Sequence, residues 1–315
     1  MVNEFNNNKN NMNMKKILLS SISMATFACA MMTTALFSSC SSEEEQTPEN
    51  QQPVELQIVS AINTRAANAA WTAGDMIGVF ALKGGAQDYS NMSYTTSDGS
   101  GSFLPSAEEQ TIMLPYDGSN YTIAAYYPYT ESLKDGSYAI NVSSQTDQEA
   151  IDLLVAAPVS GVNKMSPVAA LDFYHKLVKI TITMKPGNGI TADQLSGMTV
   201  TISGQQTEGT CDIINNGDVV ASGPTSDITL ETSTDGTTSE AILLPATTTD
   251  GMVLTFSIPT AGVYTWAVNS AAKSQSFGAG NKYKYDITIN KTGLDVNASI
   301  EDWADGNGGE NGNAI

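Results

Sequence analysis

An all-β fold, arranged as β-sandwiches, is predicted by three observations. Thr, Ser, Gly, Val and Ile are abundant, and the β-branched members of that set suit a pleated, half-buried surface. No long helical pattern of apolar residues appears after residue 40. Short apolar runs recur instead at roughly ten-residue spacing, divided by turns rich in Gly, Asn, Asp, Ser and Thr, which is the rhythm of sandwich strands. A chain of 315 residues that is 41% hydrophobic has material for one large or two ordinary domains with real cores.

Residues 1–39 read as a signal peptide rather than as fold. Lys15 and Lys16 form a basic region, with a start at Met12 or Met14, ahead of a largely apolar stretch at 17–37. Leu36-Phe37-Ser38-Ser39-Cys40 then looks like a bacterial lipobox, whose cysteine is lipidated and becomes the new N-terminus. A plain transmembrane anchor is the alternative, but Thr, Ser and Cys dilute the stretch. Residues 40–53 read as an acidic flexible spacer. Its Ser41-Ser42-Glu43-Glu44-Glu45 run is similar to the one that follows the lipid cysteine in Bacteroidetes lipoproteins of the outer face of the outer membrane.

The first predicted strand occupies residues 54–62. Val54, Leu56, Ile58 and Ile62 fall on one face with Ser60 in register, and Glu55, Gln57 and Ala61 fall on the other, where Val59 breaks the pattern. A short polar run, Asn63-Thr64-Arg65-Ala66-Ala67-Asn68, follows and holds the only arginine of the chain. Further strands are expected at 76–80, 121–127, 137–142 and 151–157, with 91–105 read as loop around the Asp98-Gly99-Ser100-Gly101 turn. Residues 173–184 alternate after one offset, which suggests a bulge. Lys185-Pro186-Gly187-Asn188-Gly189 is the strongest boundary signal. It divides an N-terminal sandwich domain, 54–185, from a C-terminal one, 186–303, with a flexible tail at 304–315. Beyond the boundary, strands are expected at 198–203, 210–214, 227–230, 240–244, 252–258, 262–268, 282–290 and 294–300. In the last of these, Leu294, Val296, Ala298 and Ile300 share a face.

Charge and cysteine content narrow the function. Lys and Arg total 14 against 33 Asp and Glu, a net charge of −19, which disfavours nucleic acid as a partner. Loss of residues 1–39 removes three lysines and one glutamate and makes the remainder more acidic still. Of the three cysteines, Cys29 leaves with the signal peptide, Cys40 is acylated and Cys211 stands alone. No intramolecular disulfide framework is possible.

The search for chemistry is largely negative. His175, the only histidine, sits inside a strand pattern with no nucleophile or orienting acid in view, since Asp172 points to the opposite face. It reads as a packing residue or a local hydrogen-bonding partner. No paired Cys/His ligands, HExxH, Walker loop or GxGxxG is present, and the acidic Gly-containing loops lack calcium-ligand spacing. No catalytic residue, metal or cofactor is expected, and the chain reads as not an enzyme. Trp71, Tyr126, Tyr127, Tyr129 and Trp266 could stack on sugars, although such aromatics more often pack cores and edges.

Seven segments in order then resemble one family. Trp71-Thr72-Ala73-Gly74-Asp75-Met76-Ile77-Gly78-Val79-Phe80, preceded by Arg65, is followed by AAYYPY (124–129), DLLVA (152–156), FYHKLVKITIT (173–183), LLPA (243–246), GNKYKYDITI (280–289) and IEDW (300–303). Together with the lipobox these resemble the fimbrillin-like proteins of Bacteroidales. The resemblance implies two tandem transthyretin-like β-sandwiches and a structural or adhesive subunit of type V pili (fimbriae). It further implies export as a surface lipoprotein, held in the outer membrane through lipidated Cys40. An Arg-specific or trypsin-like protease would cut between Arg65 and Ala66 and remove residues 54–65. Polymerisation with other pilus subunits would follow by donor-strand exchange, with Leu294, Val296, Ala298 and Ile300 as donor-strand candidates, and the extracellular pilus could engage host or bacterial surface ligands. The alternatives are a surface-tethered glycan-binding lipoprotein and a non-cleaved pilus anchor.

Overall fold

The computed structural model describes residues 51–62 and 70–303. All belong to the second of two units, residues 47–315; the first, residues 1–46, lies outside them. The expected signal peptide, Cys40, Arg65, Ala66 and the tail at 304–315 also lie outside the described residues.

The described chain is nearly all β-structure. Its first half runs through β1 (Val54–Glu55), β2 (Gln57–Ile62), β3 (Met76–Lys83), β4 (Ala86–Thr95), β5 (Ser102–Pro105) and β6 (Met113–Leu114). It continues with β7 (Tyr121–Tyr127), β8 (Ser137–Asn141), the single-turn helix α1 (Gln148–Ile151), β9 (Leu154–Ala156), β10 (Val159–Val162) and β11 (Val168–His175). The second half begins with β12 (Val178–Pro186), the short helix α2 (Ala192–Leu195), β13 (Thr199–Asp212), β14 (Val220–Thr229) and β15 (Glu231–Thr232). It ends with β16 (Thr238–Leu243), β17 (Val253–Ile258), β18 (Gly262–Ala267), β19 (Asn281–Asn290) and β20 (Gly293–Asp302).

One eight-stranded sheet, in the order β10-β7-β3-β4-β5-β2-β11-β9, organises the first half, and β9 also pairs with β7 so that the path closes on itself. Its neighbours are antiparallel except β2 and β11, which run parallel. The second half forms a five-stranded sheet, β15-β16-β12-β19-β20, and a facing one, β14-β13-β17-β18, to which β8 adds against β13.

Two apolar cores result. Residues 77, 79 and 81 of β3 and 123 and 125 of β7 face the core inside the first sheet; Phe80, Ala124 and Tyr126 join the core of the second half. These strands are buried on both faces, which is why their sequences are continuous apolar runs and not alternating ones. Gln145 ties the halves further. Its buried amide donates to the Ile242 carbonyl (2.9 Å) and accepts from the Ile242 N–H (2.8 Å), so a side chain stands in for a neighbouring strand at that point of β16.

The structure corrects several expected elements. The offset in 173–184 is not a bulge: the chain leaves the first sheet after His175 and enters the second at Val178. The expected domain boundary at 185/186 therefore falls at the end of β12, a strand of the second set of sheets. Residues 91–105, expected as loop, supply the second half of β4 and all of β5. Their polar sequence hides the strand, because only Ser93, Tyr94 and Phe103 among the strand residues are buried. The expected strands at 198–203 and 210–214 are one, β13, which bends at Gly204, where φ is +77°.

Candidate functional site

The strand β2 occupies an interior slot. Its parallel ladder with β11 runs unbroken from Gln57 opposite Val168 to Ile62 opposite Phe173. On its other edge Ile58 and Val59 oppose Phe103 and Ser102 of β5. Backbone bonds extend the grip: Leu56 N–H donates to the Ile112 carbonyl (2.9 Å), Gln57 N–H to that of Pro167 (2.9 Å) and Ser60 N–H to that of Gly101 (2.7 Å). The inward face is the expected one. Leu56 and Ile58 are buried, Val54, Ser60 and Ile62 are half-buried, and Glu55, Gln57, Val59 and Ala61 are exposed. Burying Leu56 and Ile58 contributes about 1.5–3 kcal/mol each before entropy. Without this segment, β5 and β11 would face each other across a strand-wide gap with unpaired backbone on both sides, a costly state.

The turn after β4 holds both sides of the segment that joins β2 to β3. Gly99 and Gly101 have φ of +71° and +85°. A Cβ on Gly101 would stand 2.3 Å from the Ser60 carbonyl oxygen, and one on Gly99 would stand 2.2 Å from that of Trp71. One glycine thus fits against the chain before the segment and the other against the chain after it. Asp98 shapes the turn by accepting from the Ser100 N–H (3.0 Å), and those bonds hold its carboxyl below the usual carboxylate range, the backbone bond from Ser100 first. Thr72 and Asp75 close the next turn through Thr72 N–H to Asp75 Oδ2 (2.7 Å) and Asp75 N–H to the Thr72 carbonyl (3.0 Å).

A cleft of about 310 Å³ opens where β2 ends, lined by Ile62, Trp71, Tyr127, Asp152, His175 and Trp303 among others. His175 Nδ1 lies 3.0 Å from Asp152 Oδ1; an ionised carboxylate only accepts, so Nδ1 carries the proton. The His175 ring stacks on Trp303 with centroids 4.3 Å apart and planes 7° from parallel. Trp303 is buried, and its backbone N–H donates to the Gly280 carbonyl at 2.8 Å. The Tyr127 hydroxyl lies 3.3 Å from Asp75 and 3.2 Å from Glu149, and burial, reinforced by those carboxylates, pushes its pKa well above the usual phenol value. His175 therefore has its orienting acid in Asp152, which sequence reading missed because the partner comes from a strand connection 23 residues away. The residues lining this cleft include no serine and no cysteine. Among the described residues no group of three or more His, Cys, Asp or Glu could hold a metal ion.

The donor-strand candidates lie on β20, the edge strand of the five-stranded sheet. It pairs with β19 alone, from Gly293 opposite Asn290 to Asp302 opposite Asn281. Leu294, Val296 and Ala298 are half-buried against the second core and Ile300 is 41% exposed. The aromatic residues weighed for sugar stacking point inward or pack edges. Trp71 sits edge-on to Phe103 and Phe173, each at 5.1 Å, Tyr126 is wholly buried, and Trp266 packs edge-on to Tyr285 at 5.2 Å.

Comparison with known proteins places these features in context. The family model described as fimbrillin-like matches residues 64–303, a match that begins just after β2. A protein of Bacteroides uniformis named as a candidate fimbrium subunit, Fim1C, is 47% identical over 298 residues, which is 91% of this chain and 97% of that protein. A crystal structure of a candidate cell adhesion protein from the same species is 44% identical and superposes with a TM-score of 0.74, covering 82% of this chain and all of that one. Another candidate cell adhesion protein, from Bacteroides ovatus, is 26% identical with a TM-score of 0.65 over 81% of this chain and 98% of its own.

Proposed function

Because this chain belongs to the fimbrillin-like family, we propose that it is a structural and adhesive subunit of a surface fimbrium of the type V class. In this reading the precursor is exported as a lipoprotein acylated at Cys40 and carried to the cell surface on the outer membrane. Two tandem transthyretin-like sandwiches form its body, the second opening with β12 at Val178. A protease specific for Arg, or trypsin-like, cuts between Arg65 and Ala66. Residues 54–65 then leave together with the lipid anchor, and a strand from another subunit fills the vacated slot.

The observation that carries the reading is the position of β2. It is an interior strand, paired on both edges, yet it is joined to the rest of its sheet by the short segment that holds the only arginine of the chain. A strand so placed completes the fold during export, and cutting after Arg65 makes its loss irreversible. Its departure leaves an apolar groove and open backbone edges, and strand addition repairs both at once.

Arg65→Ala tests the maturation step. The variant should stay at precursor length on the cell surface, keep its lipidated Cys40 and fail to enter SDS-resistant ladders, while the unsubstituted protein should show an N-terminus at Ala66. A variant that is still shortened at this segment and still polymerises would overturn the reading. An unsubstituted surface protein that keeps both Cys40 and residues 54–65 would identify a tethered anchor or binding lipoprotein instead.

A further inference from the structure

We infer the direction and register of the exchanged strand: residues 294–300 of a second copy run the same way as β2, with Leu294 at the level of Leu56, Val296 at Ile58, Ala298 at Ser60 and Ile300 at Ile62. The inference rests on the strand-exchange reading above and specifies how that exchange is read by side-chain size.

The slot of β2 is not uniform along its length. Leu56 and Ile58 are 4% and 2% exposed and fill large positions, while residue 60 is only a serine. Neighbouring aromatics explain the narrow point. Phe103 is the ladder partner of Ile58, and Phe173 is that of Ile62. The Trp71 indole packs edge-on against both, at 5.1 Å each. It therefore occupies the core between those two levels, above residue 60. The backbone closes in as well: Ser60 Oγ donates to the Gly101 carbonyl at 3.2 Å, and the position a Cβ would take on Gly101 is 3.4 Å from Trp71 Cδ1. From residue 56 to 62 the slot reads large, large, small, large. Trp71, Gly101, Phe103 and Phe173 all follow Arg65 in sequence, so they stay with the subunit after the cut.

The inward face of β20 has the same size order in Leu294, Val296, Ala298 and Ile300. In the inferred register the exchange is nearly volume-conserving, the kind of replacement that packed cores tolerate best. Other arrangements fail at one level or another. Sliding the donor by two residues either way brings Val296 or Ile300 to the narrow level. Reversing it with Ile300 at the Leu56 level puts Val296 at the narrow level and leaves Ala298 in the Ile58 pocket. Reversing it with Ala298 at the narrow level brings the charged Asp302 into the Leu56 pocket, where an unpaired carboxylate is strongly disfavoured. Outside the sheet, Asp295, Asn297 and Ser299 replace Gln57, Val59 and Ala61, so an exposed valine gives way to a polar residue.

Thiol crosslinking in assembled polymers distinguishes these arrangements. Gln57 lies opposite Val168 and Ala61 opposite Asp172; the native Cys211 is buried. Full-length protein carrying Asp295→Cys and Val168→Cys is processed, assembled and treated with a short thiol–thiol crosslinker, alongside a Ser299→Cys and Val168→Cys pair. Covalent ladders from the first pair and not the second support the inference. Ladders from the second pair alone overturn the direction. Ladders from neither pair, in material that electron microscopy shows to be polymeric, overturn the register while strand exchange stands. Failure of the unsubstituted, cut protein to polymerise removes both. A size test is independent of cysteine chemistry: Ala298→Leu should lower polymer yield by about tenfold or more, whereas Val296→Ile should assemble normally. Both variants are to be compared with matching unfolding curves of the uncut chain, and normal assembly of Ala298→Leu overturns the inference.

Discussion

The strands β2 and β20 carry the same apolar size pattern in opposite situations. β2 is interior, bonded on both edges, with Leu56 and Ile58 sealed in the first core. β20 sits at a sheet edge, bonded to β19 alone, with Ile300 41% exposed and its other inward residues only half-buried. One strand is embedded in its sheet and the other is peripheral to its own. The difference matches the two tasks proposed for them. A strand that leaves after peptide-bond cleavage can be held tightly, because hydrolysis makes its departure irreversible. A strand that must detach intact and be captured elsewhere has to be held loosely, so that the deeper slot outcompetes the edge.

The largest expected effect separates the two strands directly. Ile58→Ala should cost the uncut chain about 2–5 kcal/mol, the range for a large-to-small change in a sealed core. Ile300→Ala should cost about 0.5–1 kcal/mol, since much of that side chain is already in water. Urea unfolding of both variants with matched slopes measures the pair. Equal costs would mean that β20 is held as firmly as β2 and would remove the energetic ground for its transfer.

How much of this contrast is legible in the sequence depends on where the constraint lies. The two faces of β2 follow from period-two alternation, and even Val59, which interrupts the polar run of the outer face, is simply an outward valine at 45% exposure. The alternation of β20 is equally plain, yet its edge position is not, because sheet order is set by pairings distant in the chain. The cleft was illegible for the same reason: Asp152, His175 and Trp303 come from three separate segments, and each sequence run shows only one of them. The DLLVA and IEDW segments stand out by resemblance, but nothing in their spacing says that Asp152 and Trp303 meet on the same imidazole. Strand β4 was missed because its ladder to β3 is set by the Gly84-Gly85 turn and broken near Asn91, whose φ is +51°, and not by an alternating apolar face.

The two glycines of the turn after β4 sharpen the comparison from the side of the slot. Gly101 fits against Ser60, which belongs to the segment proposed to depart, and Gly99 against Trp71, which follows Arg65. Both positions have φ in the left-handed region, so an alanine at either carries about 1–2 kcal/mol of backbone strain besides its clash. The strain is common to the two variants and the clash is not. After trypsin cuts the joining segment, Gly101→Ala should speed release of residues 54–65 by about tenfold or more, and Gly99→Ala should leave that rate near the unsubstituted value. Mass spectrometry of the retained peptide over time reads the difference. Equal acceleration by both would mean that the turn acts as one rigid body and does not grip the two flanks separately.

The smallest effect concerns acid. Asp98, in that same turn, has its carboxyl held below the ordinary value of 3.8, first by the Ser100 backbone N–H and then by its side chain. A carboxylate whose pKa is lower in the folded chain than in the unfolded one binds fewer protons when folded. Its stabilising contribution is complete above the unfolded pKa and fades as pH falls through the folded value. Acidification below that point should therefore loosen the turn that holds the Ser60 carbonyl, at the β2 end of the comparison. Asp98→Asn keeps an accepting oxygen but cannot titrate, so its unfolding midpoint should fall less steeply than that of the unsubstituted protein from neutrality into the acid range. The same measurement on Asp235→Asn serves as a control in the second half, where Ser233 and Thr237 lower the Asp235 carboxyl in a turn remote in sequence from β2. If Asp98→Asn accelerates release of residues 54–65 in acid no less than the unsubstituted turn does, then the Asp98 charge has no part in holding β2, and the grip lies in Gly101 and the β11 ladder alone.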